Sequence, residues 1–255
     1  MTYLLNEPWL LGLLVAISLA AAIELGRQTG AWTHIHEDTN RKEQTVAIRD
    51  GLFVLVSLLL SLTLTLAVPR YNDRRSRLVE EAISIGTTNL RAGVLPQPYR
   101  DNARELLRQY VDARIDLDDA GLDVARFDEA ERRSRHIEAQ LWADAEAVIR
   151  TDRTAITAAY INSLNETIDL DEKRIAVLES RIPIVVWFLI LSVSAVAFFS
   201  RGLTLTHRFW FTFLLPITIA IVVALVADLD TPSSGLLRLD RRAMQRLKSE
   251  LSAEP

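Results

Sequence analysis

Ser57, Ser61 and Thr65 recur at every fourth position of the run Gly51–Val68, which holds no charged residue and has Thr63 as its one other hydroxyl. A helix of about 3.6 residues per turn brings the three hydroxyls onto one face. Two chemistries suit such a ridge. Small residues let a neighbouring helix approach while each hydroxyl bonds the preceding turn, or the oxygens line a pore or cavity wall. Asp228 and Asp230 form a second constellation, where the last apolar run ends and on the same expected border as Arg70, Arg74 and Arg75. Charge-assisted hydrogen bonds would tie the two chain segments together there; an acidic ring at a pore mouth is the alternative. His34-Ile35-His36-Glu37-Asp38 would aim two imidazoles the same way on an extended segment. No further His or Cys lies nearby to complete the closed ligand set that zinc requires.

Other chemistries have no residues to carry them. The chain lacks cysteine, which removes disulfides, thiolate nucleophiles and cysteine-bound zinc. No phosphate-cradling glycine loop, H-E-x-x-H or G-x-S-x-G pattern occurs. Arg132, Arg133 and Arg135 alternate with Glu129, Glu131 and Glu138, which is the pattern of a solvated helix face rather than a nucleic-acid contact. Neither an enzyme, nor a cofactor, nor a nucleic-acid partner is expected.

The elements that position these residues are set by hydropathy. Pro8–Ile23, Gly51–Val68, Ile182–Ser200 and Phe209–Ala227 carry no charged residue, and each approaches the ~20 residues a helix needs to cross a bilayer. The first run lacks a positively charged segment before it, so it is expected to stay as a span rather than be cleaved as a signal. The expected fold is all-α, with four transmembrane helices and a helical cytoplasmic bundle inserted between the second and third. Residues 1–68 hold spans one and two, 69–181 the bundle, 182–227 spans three and four, and 228–255 a tail. Arg and Lys crowd the borders at Arg70–Arg77, Lys173–Arg181 and Arg238–Lys248. The positive-inside rule then places both termini and the bundle in the cytoplasm, in an inner membrane.

Between the spans the pattern is helical throughout. Beyond Pro69, Val79, Ala82, Ile83, Gly86 and Leu90 keep helical spacing as an inner face, with Arg77, Glu81, Ser84, Thr88 and Arg91 on another. One long helix or a Pro-bent pair from about Asp50 to Arg91 follows, ended by Gly93, Pro96 and Pro98. A helix Tyr99–Asp116 has Leu106, Leu107, Tyr110 and Val111 inside, and 118–121 reads as a turn. Residues 123–181 contain no Gly or Pro and predict helix without interruption, with an apolar stripe at Leu164, Ile168, Ile175, Leu178 and Ile182 suited to another helix. Pro216 falls within the fourth apolar run and predicts a kink there.

Pro69-Arg70-Tyr71-Asn72-Asp73-Arg74-Arg75-Ser76-Arg77-Leu78-Val79-Glu80-Glu81-Ala82 and Asp228-Leu229-Asp230-Thr231-Pro232-Ser233-Ser234-Gly235, together with Glu24-Leu25-Gly26-Arg27 and Gly30, carry a resemblance. The chain resembles the bacterial bestrophin-like membrane proteins over nearly its whole length. Arg70, Tyr71, Arg74, Arg75, Glu80, Glu81, Asp228, Asp230, Pro232 and Gly235 stand at the matching motif positions. The resemblance implies kinship with the bestrophins, pentameric anion channels with four membrane helices per subunit and a helical cytoplasmic region. On that footing the chain is expected to be a homo-oligomer in the lipid bilayer passing an inorganic ion, with Ser57, Ser61 and Thr65 lining the pore. A membrane-anchored scaffold or signalling module, working through 69–181, is the competing class.

Overall fold

A computed structural model describes residues 7–33, 39–121, 123–205, 210–231 and 242–253. Among the described residues the chain is α-helical apart from short connections. The helices are α1 Pro8–Trp32, α2 Thr39–Ala92, α3 Tyr99–Ala120, α4 Val124–Thr151, α5 Ala155–Glu179, α6 Ile184–Leu203, α7 Leu214–Asp230 and α8 Arg242–Ala253, with a 3-10 turn at Trp210–Phe213. Four segments are long and apolar enough to cross a membrane: Pro8–Trp32, Asn40–Ala92, Ile184–Leu203 and Phe211–Asp230. The 54 residues of α2 extend about 80 Å at ~1.5 Å per residue. That is far more than a hydrocarbon core of ~30 Å, so this helix must leave the bilayer.

The chain divides into two compact units. One comprises the described residues up to Tyr71 and Arg181–Thr231; the other comprises Asn72–Ser180 and the described residues after Arg238. In the first unit, Leu11, Val15, Leu19 and Ile23 repeat every fourth residue along α1 and bury one stripe. They share a core with Val56, Trp187, Ile190, Phe198 and Val223, where the rings of Phe53 and Phe198 meet edge to face at 5.2 Å. Trp187 is only 3% exposed, so it is a core residue. The tightest helix contact is α1 on α6. A Cβ on Gly26 would stand 2.1 Å from the Phe199 carbonyl oxygen, and one on Gly202 would stand 2.1 Å from that of Ile23. The pattern Gly26-x-x-x-Gly30 is the sequence signature of such an approach.

The second unit packs α3 on α4 and α8, and α5 on α4. Leu106, Leu107, Tyr110 and Val111 are buried, where their spacing puts them. Three local readings of the sequence need correction. The stretch 118–120 continues α3, and the break comes at Gly121, whose φ of 59° lies in the left-handed region. Helix over 123–181 is interrupted at Asp152–Thr154, because Thr154 caps α5 by accepting from the Thr157 N–H while Asp152 accepts from both threonine hydroxyls. Pro216 sits in the first turn of α7 rather than at mid-span, where a missing N–H leaves no carbonyl unsatisfied.

The inner face expected for α2 beyond Pro69 is turned around. Val79, Ile83 and Leu90 are 39%, 64% and 65% exposed, whereas Glu81, Ser84 and Thr88 are buried. The buried arc is Leu78, Glu81, Ile85, Thr88 and Ala92, an unbroken series of three- and four-residue steps, with Ala82 beside Glu81. Its polar members are matched across the contact by α5, whose own buried line includes Thr167, Asp171 and Arg174.

Candidate functional site

On α2, Ser57, Ser61 and Thr65 are all exposed, while Thr63 is buried on another face. The hydroxyl of Ser57 donates to the Phe53 carbonyl and that of Thr65 to the Ser61 carbonyl, each at 2.9 Å. Ser57 and Ser61 border an open groove of about 570 Å³ with Leu60, Leu64, Ile219 and Thr218 of α7. Thr218 spends its proton in the same way, on the Leu214 carbonyl at 2.9 Å. Pro69 has no N–H to offer the Thr65 carbonyl, its partner four residues back. Ser57 and Thr65 therefore present oxygen lone pairs rather than O–H donors to whatever fills the space beside them.

The second constellation gathers at the end of α7. The Asp230 carboxylate is buried and accepts the Ile182 N–H on both oxygens, at 3.0 and 3.1 Å. Arg70 lies 3.9 Å from it. Ile182 precedes α6 by two residues, so the carboxylate also stands where that helix leaves its first N–H groups exposed and its dipole is positive. Asp228 is buried too and borders an apolar groove with Pro8 and Trp9. Arg74 is buried in the second unit and donates to the Ser180 carbonyl at 3.2 Å, whereas Arg75 is exposed. Tyr71 packs half-buried against the apolar core of the first unit. Glu80 accepts from Ser76 and Arg77. Pro232, Gly235 and the His34–Asp38 stretch lie outside the described residues. Glu24 pairs with Arg27 at 2.6 Å.

The largest cluster of charge among the described residues is centred on Glu81, a motif position whose partners the sequence did not single out. Glu81 of α2 is fully buried and receives Arg114 of α3 at 2.6 Å and Arg174 of α5. Arg174 also reaches Asp118, and Arg114 reaches Asp171. Arg114 stacks over the Tyr110 ring at 5.9 Å, and the Tyr110 hydroxyl donates to Glu138 of α4 at 2.9 Å. Burial pushes the Glu81 carboxyl up, but the guanidinium groups of Arg174 and Arg114 outweigh it and hold the acid below its ordinary value. Burial pushes the Tyr110 phenol well up. Above this cluster the contact of α2 with α5 continues as hydroxyl pairs, Ser84 with Thr167 at 2.9 Å and Thr88 with Thr167 at 3.0 Å, and ends at Arg91 on the Ala159 carbonyl. One signal could have exposed it. Asp171 and Arg174 fall on the same helical line as Tyr160, Leu164 and Thr167, so opposite charges three apart stand on a face that the apolar residues mark as inward.

The family model described as the Bestrophin-like domain matches residues 12–244. The structure is similar to the crystal structure of a bacterial Bestrophin homolog from Klebsiella pneumoniae carrying a mutation. The TM-score is 0.65 at 12% identity, covering 93% of this chain and 97% of that one, a likeness of fold. No curated protein matches.

Proposed function

Because the chain belongs to the Bestrophin-like family, we propose that it is a subunit of an oligomeric ion channel whose pore is lined by α2. One observation carries this reading. Ser57, Ser61 and Thr65 are left uncovered by the other helices of the same chain, so close packing within the subunit does not account for them. The assembly is homo-oligomeric, five-fold by family likeness, and closed rings are the usual symmetric solution for a pore without internal repeats. Exposed Val79, Ile83 and Leu90 support it. They form an apolar face on α2 beyond its membrane segment, where lipid cannot cover them and a second copy can. In this reading residues 69–181 are a cytoplasmic insert between the second and third spans, and both termini share its side of the inner membrane. Asp230 is structural, joining the end of α7 to Arg70 and to the start of α6.

The family likeness favours anions. The ridge favours cations, because the hydroxyl protons of Ser57 and Thr65 are engaged on their own helix and the Thr65 carbonyl lacks the N–H that Pro69 cannot supply. Purified protein in planar bilayers under a salt gradient decides between the two by the sign of the reversal potential. Folded protein that is electrically silent, or that is a monomer by mass in nanodiscs, overturns the channel reading.

A further inference from the structure

The two flanks of α7 border different grooves. Leu215, Ile219 and Val222 face the one shared with α2. Ile217, Ile221 and Ala224 fall on the opposite side of the same helix, at 3.6 residues per turn, and there α7 and α1 enclose a second groove of about 440 Å³. Gly12 of α1 forms its floor, so close to α7 that an added Cβ would stand 2.9 Å from the Ala224 Cβ. Leu13, Ile217 and Ile221, all exposed, rise as its walls.

Length, width and charge together select the occupant. Along α7 the groove runs from Ile217 to Asp228, about 16 Å at ~1.5 Å per residue. That is half of a hydrocarbon core of ~30 Å, the depth of one leaflet. It ends at the border of the apolar run. Asp228 stands two residues before the end of α7 and Trp9 one residue after the start of α1, and Trp9 is 60% exposed, as an interfacial ring should be. Asp228 is the only charged residue in the lining. A helix of the same length, about 10 Å across, would occupy roughly 1,300 Å³, so a second copy can rest on the rim but cannot enter. A single hydrocarbon chain can. With α2 innermost in the ring proposed above, on which this placement rests, the groove opens outward to the bilayer.

We propose that this groove seats one acyl chain of a phospholipid from the leaflet on the Asp228 side, and that the lipid is selected by an ammonium headgroup. Inside the groove the chain meets Gly12, Ala16 and Ala220 at fixed positions, and close van der Waals contact holds it where burial from lipid to protein gains nothing. At the mouth the Asp228 carboxylate, among apolar neighbours, attracts a cation and repels a headgroup of net negative charge. Phosphatidylethanolamine meets both requirements: an acyl chain for the groove, and a primary ammonium for the carboxylate.

The test is native mass spectrometry of the full-length protein, released from nanodiscs made of phosphatidylethanolamine and phosphatidylglycerol in equal parts. One phosphatidylethanolamine per subunit is expected to persist under conditions that strip the remaining lipid. Ile221→Trp, a change at an exposed wall position, puts an indole over the groove and is expected to cut that retention about tenfold, the equivalent of losing around ten close carbon contacts. Val185→Trp, equally exposed on α6 but outside the groove, should retain the lipid as the parent does. Asp228→Asn should keep a lipid but lose the choice between the two headgroups; if that variant does not fold, the choice made by the unaltered protein still reports. No retained lipid, retention untouched by Ile221→Trp, equal loss in Val185→Trp, or a preference for phosphatidylglycerol overturns the proposal. A changed subunit number in Ile221→Trp also overturns it, by showing that a second copy covers the groove. Failure here is distinct from failure of the channel reading: electrically silent protein that retains the lipid overturns conduction alone, and conducting protein that retains none overturns the lipid site alone.

Discussion

The two units of this chain hold their helices together by opposite means. In the first, α1 and α6 touch through glycines, so closely that no side chain fits between Gly26 and Phe199 or between Gly202 and Ile23. In the second, α2, α3 and α5 meet around buried ions, with Glu81 between Arg114 and Arg174. The difference is what the proposed topology, with lipid around the first unit and water around the second, would select. Lipid is as apolar as leucine, so burying leucine drives no helix association there, and close van der Waals approach must do it. Water rewards apolar burial and penalises buried charge, so an ionic core persists only if each charge meets its complement.

The sharpest way to break the comparison is to remove the shared carboxylate. Glu81→Ala removes the carboxylate that Arg114 and Arg174 share, leaving each with one remaining acidic partner, and breaking a buried pair by removing one partner costs about 3–5 kcal/mol. Folded yield and melting temperature should drop severely, with exchange rising first in α3 and α5. The matching test in the first unit is Gly202→Ala. An added Cβ must displace backbone, and overpacking of this kind costs about 1–3 kcal/mol. Gly51→Ala is its control, since nothing lies within 4 Å of that position. Better helix propensity should leave the melting temperature level or slightly raised there.

Asp230→Asn comes next. It removes the charge facing Arg70 while keeping an oxygen for the Ile182 N–H, and a loss of about 1–2 kcal/mol is expected from the weakened charge-assisted bond. If channel currents are found, their ion preference should stay as in the parent protein. Reversed preference at normal stability would show the carboxylate to be a pore group instead. The pH profile of thermal unfolding sharpens the contrast further. Glu81, held low, contributes stability that is present above its ordinary 4.5 and is lost as pH falls through its folded value. Glu138, pushed up to about 7 mainly by burial, works the other way, its contribution complete below 4.5 and lost as pH rises through about 7. The second unit should therefore be most stable between the two, with melting temperature declining on both flanks. The smallest effect on stability belongs to Ser57→Ala. An exposed hydroxyl bonded to its own helix changes the melting temperature by less than ~0.5 kcal/mol equivalent, yet conductance should change if it lines the pore.

The all-helical character and the four candidate spans were legible because they depend on local quantities. Runs of 16 to 19 residues without charge have few other ways to exist, and Gly93, Pro96 and Pro98 end α2 by covalent geometry alone. The cap at Asp152–Thr154 was legible in principle and was outvoted by the absence of Gly and Pro around it. The face of α2 beyond Pro69 was not legible by hydrophobic spacing. Counting apolar residues puts Val79, Ile83 and Leu90 inside, but the helix buries Glu81, Ser84 and Thr88 because α3 and α5 supply their partners.

From its own residues, then, the chain determined how many helices are apolar enough for a bilayer, where α2 stops, and that α1 carries a glycine pair fit for close approach. Each of these is decided by neighbours within a few turns. Tertiary structure alone decided which polar groups are buried and which apolar ones are not. Glu81 is 33 residues from Arg114 and 93 from Arg174, and a charge can leave water only when its partner arrives from elsewhere in the chain.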